Sequence, residues 1–179
     1  MDGMSDQQGP QPGRRQPAPG ELALVQSFVN TADIESGQDE FGDNDSLRAW
    51  LQDHGLIEPG SAVSEAELRL VLQVREALRA LATANLDRGT DPTAVQVLNR
   101  VAESARLVVR FQGGGHARLE PQLPGVDGAL GRILGIVYTA MVEGTWQRLK
   151  ACRRDSVSYT HLTLPTTCTP CRSRWGPAP

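Results

Sequence analysis

SEAELRLVLQVREALRALATANL, residues 64 to 86, decides the fold class. Its first residues, Ser64-Glu65-Ala66-Glu67, make a capping box, in which a serine hydroxyl and a glutamate carboxylate satisfy amides that a helix start leaves unbonded. Behind it Leu68, Val71, Leu72, Leu78, Leu81 and Ala82 recur at helical spacing, and neither proline nor glycine interrupts them. The pattern predicts the longest helix of the chain, from Glu65 to about Leu86, with one face turned inward. A chain organised around that segment is mostly helical.

The flanking sequence extends the same reading. Asp91-Pro92 joins a capping aspartate to a proline at the first helical position and opens a helix through about Ala105, carried by Val95, Val97, Leu98 and Val101. The period then shortens. Leu107 to Phe111 is rich in β-branched residues, Gly113-Gly114-Gly115 turns the chain, and Ala117 to Leu119 is extended again, which predicts a hairpin. A last long helix is expected from about Asp127 to Ala151, with Leu130, Ile133, Leu134, Val137, Met141, Trp146 and Leu149 inward. Upstream, Asn44 or Asp45 caps a short helix from Ser46 to His54 whose Leu47, Trp50 and Leu51 share a face. Glu21 to Thr31 fits either a strand or a helical turn, and its Asn30-Thr31 ending favours an extended segment. Asp33 to Asp45 is acidic and glycine-bearing, as a solvated loop would be. The expected fold is α+β and predominantly α-helical, a helical core with a small antiparallel sheet made from the N-terminal segment and the 107–121 hairpin.

Composition narrows the function. The 179 residues are 39% hydrophobic and 22% charged, enough for one core, while 4% aromatics leave that core to Leu, Val and Ala. No apolar run approaches the ~20 residues of a membrane span, and the first twenty residues hold no hydrophobic signal region. The expectation is a cytoplasmic protein with no membrane partner. Residues 21–155 carry 19 acidic against 14 basic side chains, a net charge of -5, which argues against this stretch binding nucleic acid by itself.

Both ends differ from the middle. Residues 1–20 are Gln, Pro, Gly and polar residues, and are expected to be a disordered leader, with Met4 as good a start as Met1. Residues 156–179 contain no acidic side chain. Within them Val157 to Thr166 is what GTC TCT TAT ACA CAT CTG ACG CTG CCG ACG encodes, which resembles a transposon-based sequencing adapter. Cys171 to Trp175 matches a further constant block of the same adapter through TGT AGA TCT CGG TGG. The segment is expected to be adapter translated in frame and to pack against nothing; a genuine Pro- and Thr-rich tail is the alternative. On that reading the Cys168-Thr-Pro-Cys171 pair, which with Cys152 and His161 would make a zinc tetrad, arises by chance.

Thr145 to Asp155 (TWQRLKACRRD) is basic and holds a cysteine. Together with Leu22-Ala-Leu24, Phe28-Val-Asn-Thr31 and Asp45-Ser-Leu-x-x-Trp50-Leu51, it resembles the bacterial CGNR zinc-finger proteins, whose helical N-terminal region is the ABATE domain. The resemblance covers about 21–155 and implies an ABATE-like domain over 21–151, with 152–155 as the start of a zinc finger. It implies a cytoplasmic transcription regulator whose N-terminal domain senses or dimerises and whose finger binds zinc and DNA. The second cysteine and the Cys-Gly-Asn-Arg motif of that family do not follow in this sequence. Cys152 is therefore the single candidate metal ligand, and one thiolate cannot hold a structural zinc. Zinc, like DNA, is expected only for the full-length protein, and no cofactor for this chain. Arg148, Lys150, Arg153 and Arg154 are candidate DNA contacts at the finger's leading edge, or else ordinary cations at a helix C-terminus. The alternative function is a small-ligand- or partner-binding domain with no DNA role.

Other candidates carry less. The triple glycine lacks the strand-to-helix setting of a phosphate cradle. His54 and His116 lack a nucleophile or carboxylate pattern around them, so no enzyme is expected. The acidic loop lacks the ligand order of a calcium loop. Asn30 and Thr31 are polar residues closing an apolar segment, where burial would oblige them to hydrogen-bond, and are a candidate ligand or structural polar site.

Overall fold

A computed structural model describes residues 18–33, 37–87, 89, 91–151 and 160–162. Its elements are α1 (Leu22–Asn30), β1 (Ala32–Asp33), β2 (Gln38–Asp39), α2 (Asn44–Asp53), α3 (Glu65–Asp87), α4 (Pro92–Ser104), β3 (Val108–Gln112), β4 (His116–Glu120), α5 (Gly125–Val142), β5 (Leu149–Ala151) and β6 (Thr160–Leu162). The fold is mostly helical α+β, and its strands form short antiparallel pairs, β1 with β2, β3 with β4, and β5 with β6.

The capping box predicted for α3 is present: Ser64 N donates to Glu67 Oε2 at 2.7 Å, and Glu67 N donates to Ser64 Oγ at 3.3 Å. Asp91 caps α4 by accepting from Thr93 N at 2.8 Å, with Pro92 at the first position. For α2 the cap is Asp43, neither Asn44 nor Asp45. Asp43 Oδ1 accepts from Ser46 N at 2.8 Å while Asp43 N donates to Ser46 Oγ at 3.1 Å.

The N-terminal segment corrects the sequence reading. Glu21 to Thr31 is no strand of a sheet with the hairpin; Leu22 to Asn30 is helical, because Leu22, Val25, Phe28 and Val29 bury one face at spacings of three and four. The chain just upstream also belongs to the fold. Ala18 lies in the core, and its N–H donates to the buried Gln26 Oε1 at 2.7 Å, so the end of the supposed leader packs.

The last helix is shorter than expected. It stops at Val142, with Glu143 as cap and Gly144 beyond it at φ 73, the left-handed geometry that glycine adopts at little cost. Gly144 N donates to Met141 O at 3.2 Å and Thr145 N to Ala140 O at 2.9 Å, closing the last turn. Trp146–Arg148 form a single 3-10 turn and Leu149–Ala151 are extended along α3. Met141, placed in the core by periodicity, is 41% exposed, and Leu72 is only partly buried, whereas Leu78 and Val137 join one cluster. β5 pairs with Thr160–Leu162, with Lys150 opposite His161. At those three residues the expectation that 156–179 packs against nothing is corrected: their backbone meets the N–H and C=O groups that β5 would otherwise leave as a strand edge.

Close approach between α5 and the chain around the hairpin depends on glycine. A Cβ at Gly131 would stand 2.7 Å from Ala105 Cβ and 2.8 Å from Pro121 Cβ, and one at Gly135 would stand 2.9 Å from Leu119 O. A Cβ at Gly128 would collide with Leu123 O. By length and composition α5 is apolar enough to cross a membrane, against the expectation that no run approaches a span, yet most of the helix is buried inside the fold.

Leu78, fully buried on α3, tests the packing. Leu78→Ala is expected to lower the unfolding free energy by about 2–5 kcal/mol through lost transfer energy and the cavity left behind. Urea titration checks it; a change of a few tenths would mean that α3 does not face this core.

Candidate functional site

Two arginines that periodicity did not single out organise the polar interior. Arg75 and Arg79 sit on α3 on the same face as Val71, Val74, Leu78 and Ala82, and are only 4% and 6% exposed. Guanidinium groups at such depth need partners, and the end of α1 and the β1–β2 arm supply them. Arg75 holds Asp39 in a two-pronged pair, Nη1 to Oδ1 at 2.7 Å and Nη2 to Oδ2 at 2.6 Å. Its Nη1 also donates to Thr31 Oγ1 at 3.2 Å, and its Nε to Glu76 Oε1 at 3.2 Å. Arg79 Nη2 donates to Val29 O at 2.8 Å, and Arg79 Nε lies 3.2 Å from Glu76 Oε2.

Thr31 is therefore where the sequence reading pointed. It is buried, its hydroxyl donates to Phe28 O at 2.8 Å, and its carbonyl accepts from Glu40 N at 2.8 Å. Asn30 is the last residue of α1, half-buried beside it. Together Thr31 and Arg79 satisfy carbonyls that the C-terminus of α1 would otherwise leave open, and the cation is placed where the helix dipole favours it. The acidic stretch is accordingly more than a solvated loop: Asp39 is bonded to α3 and Phe41 is 2% exposed.

An aromatic cluster lies beneath this network. Phe28, Phe41 and Trp50 meet with ring centroids 5.5–6.0 Å apart, Phe41 and Trp50 edge to face. The Arg75 guanidinium carbon stands 5.5 Å from the Phe41 ring centre, a cation–π contact. On the outer side His54 stacks on Trp50 at 3.9 Å, and its Nδ1 lies 2.7 Å from Trp50 O, a bond that puts the proton on Nδ1.

Electrostatics divides two adjacent carboxylates. The Arg75 hydrogen bonds hold Asp39 below the usual carboxylate range, against a smaller opposing effect of desolvation. Desolvation pushes Glu40 above its ordinary value, and the charge of Asp39 adds to that.

The candidate DNA contacts fall elsewhere. Arg148 and Lys150 are not on a helix C-terminus, since α5 has already ended; Arg148 closes the 3-10 turn and Lys150 is in β5. Both are partly buried, and Lys150 Nζ donates to Asn85 O at 3.5 Å. Asn85 Nδ2 donates in turn to Trp146 O at 3.0 Å and Leu149 O at 2.7 Å, fastening this segment to the end of α3. Cys152, Arg153 and Arg154 lie outside the described residues, as do Cys168 and Cys171.

These elements define a helical α+β domain in which the buried arginines at the middle of α3 hold the C-terminal end of α1 and the β1–β2 arm. The profile of the ABATE family, described as a putative stress-induced transcription regulator, matches residues 22–144, and the chain belongs to that family. The match spans the elements from α1 to the end of α5. No curated protein matches the sequence.

The two carboxylates generate opposite expectations. Asp39→Asn should destabilise the protein at neutral pH, with the loss moderated because the Asp39 side chain is 38% exposed. Because its folded-state pKa is lowered, the wild-type advantage should be whole above about pH 3.9 and fade as pH falls through the folded-state value. Glu40→Gln should instead stabilise at neutral pH, since a raised pKa means that folding disfavours the charged form. Thermal melts of both variants across pH 3–7 check the pair, and equal signs would refute the assignment.

Proposed function

We propose that this domain is the signal-receiving and dimerising part of a cytoplasmic transcription regulator, and that DNA is read by a zinc finger which, in the full-length protein, begins at Cys152. The observation that carries the reading is the family match over 22–144. Charge supports the division of labour: residues 21–155 have a net charge of -5, whereas affinity for duplex DNA comes chiefly from cations that displace condensed counterions. The interior supports a non-catalytic role, since Asp39, Arg75 and Thr31 are engaged with one another and Asp43 is engaged in capping α2. Arg148, Lys150, Arg153 and Arg154 would lie at the junction with the finger, where the phosphate backbone comes closest to this domain.

The test pairs this chain with the full-length gene product. This chain should bind neither stoichiometric zinc nor duplex DNA, because Cys152 alone cannot complete a tetrahedral site. The full-length protein should hold about one zinc per chain and bind DNA with an affinity that falls steeply with salt. Metal analysis and salt-titrated anisotropy supply both readings. Equal DNA binding by the two proteins would overturn the division of roles, and no DNA binding by either would favour a ligand- or partner-binding domain without a DNA role.

A further inference from the structure

One outer surface of the domain is apolar and ends in a strand edge that is unpaired among the described residues. Leu119 of β4 lies over Gly135, and Pro121 and Leu107 lie over Gly131, so β4 runs antiparallel to α5 along the face that carries these glycines. A strand advances about 3.3 Å per residue and a helix about 1.5 Å. The step from Pro121 to Leu119 thus matches that from Gly131 to Gly135, and Ala117 falls beside the turn of Tyr138. Tyr138 and Val142 continue the glycine face of the helix, and they are 53% and 70% exposed. Val109 and Phe111 pair with Leu119 and Ala117, and therefore share their face of the hairpin, one strand further out. They are 55% and 85% exposed.

We infer that a second copy of this chain covers this surface, with β3 pairing antiparallel to β3 of its partner across a twofold axis near Arg110. Among the described residues β3 is bonded to β4 alone, so alternate residues of β3 turn N–H and C=O groups outward to a potential strand partner. A twofold axis at the middle of Val108–Gln112 gives the greatest overlap of two such strands and sets Val109 opposite the partner's Phe111. The interface is then self-complementary, as a closed dimer requires. Val109, Phe111, Tyr138 and Val142 together expose on the order of 500 Å², so two copies would cover about 1,000 Å² before any rim is counted, the lower bound for a specific interface. Arg110 would face its own copy, with Glu120 of β4 3.6 Å away as a countercharge that it shares with Arg118, whose Nε lies 2.6 Å from the same carboxylate.

The inference takes up the dimerising role proposed above but does not depend on the DNA role. Sedimentation equilibrium on the chain as it stands should show a monomer–dimer equilibrium. Phe111→Asp and Val142→Asp should each weaken it at least tenfold while leaving the melting transition of the monomer unchanged, since both side chains are exposed. Arg110→Cys, with Cys152, Cys168 and Cys171 replaced by serine, should oxidise to a covalent dimer, because facing Cα atoms about 4.5–5.5 Å apart are within disulfide reach. A chain that stays monomeric to several hundred micromolar overturns the inference, as does a dimer indifferent to both aspartates. Either result leaves the regulator reading to its own zinc and DNA test.

Discussion

The Arg75–Asp39 pair is the constraint on which the N-terminal half of the domain depends. Arg75 is nearly sealed from solvent, and a buried guanidinium left without a partner costs several kcal/mol, more than a typical surface pair returns. The chain meets that demand by bringing the β1–β2 arm down onto α3. The same group reaches Thr31 at the exit of α1 and stands against Phe41, so one cation fixes a helix end, a strand pair and an aromatic cluster together. Arg79 repeats the device one turn on, through the carbonyl of Val29. Removing one partner from such a network is costlier than removing both, because it is the uncompensated charge that destabilises.

The C-terminal half is held by the opposite means, an absence of side chains. Gly131 and Gly135 let α5 approach the start of the hairpin and its flanking loops to distances that a single methyl group would block. Contacts this close give dispersion energy without polar bookkeeping. They also fix the hairpin chiefly through β4, the strand nearer to α5. β3 is carried outside the packed layer with Val109 and Phe111 on its surface, and the apolar face of α5 runs on past the glycines to Tyr138 and Val142. The exposed apolar surface thus follows from how the hairpin is anchored.

Much of this was legible in the sequence, wherever the signal was local. The capping box of α3, the Asp91-Pro92 start of α4 and the triple-glycine turn each combine a side-chain bond or backbone preference with the right period, and each appears at the residues expected. In two other segments a stronger-looking signal masks the deciding one. Gly144 is a helix stop, but Trp146 and Leu149 continue the apolar period through it, so the periodicity extends past the true end of α5 at Val142. In α1 the polar pair Asn30-Thr31 suggested a strand end, although Thr31 serves as the hydrogen-bonding close of a helix. Thr31 itself was legible as a buried polar group needing a partner, but the partner was not. Arg75 and Arg79 fall on the stripe of Val71, Val74 and Leu78, and a charge on an apolar stripe signals an ion pair, yet Asp39 lies far away in sequence and no period connects them.

The two modes of packing meet on α3. Near its middle, Arg75 and Arg79 hold the exit of α1 and the arm that follows it. Near its end, Asn85 accepts Lys150 on its carbonyl and donates to the carbonyls of Trp146 and Leu149, so the segment leading out of α5 is tied to the same rod. A continuous helix rises about 1.5 Å per residue and resists bending unless proline or an inserted group breaks its ladder; α3 has no proline. The separation between the N-terminal clasp and the C-terminal exit is therefore set by helix geometry and not by loop length. A displacement of the clasp that carried α3 with it would be delivered to β5 as a rigid-body shift, whereas one confined to the β1–β2 arm would stop at Arg75.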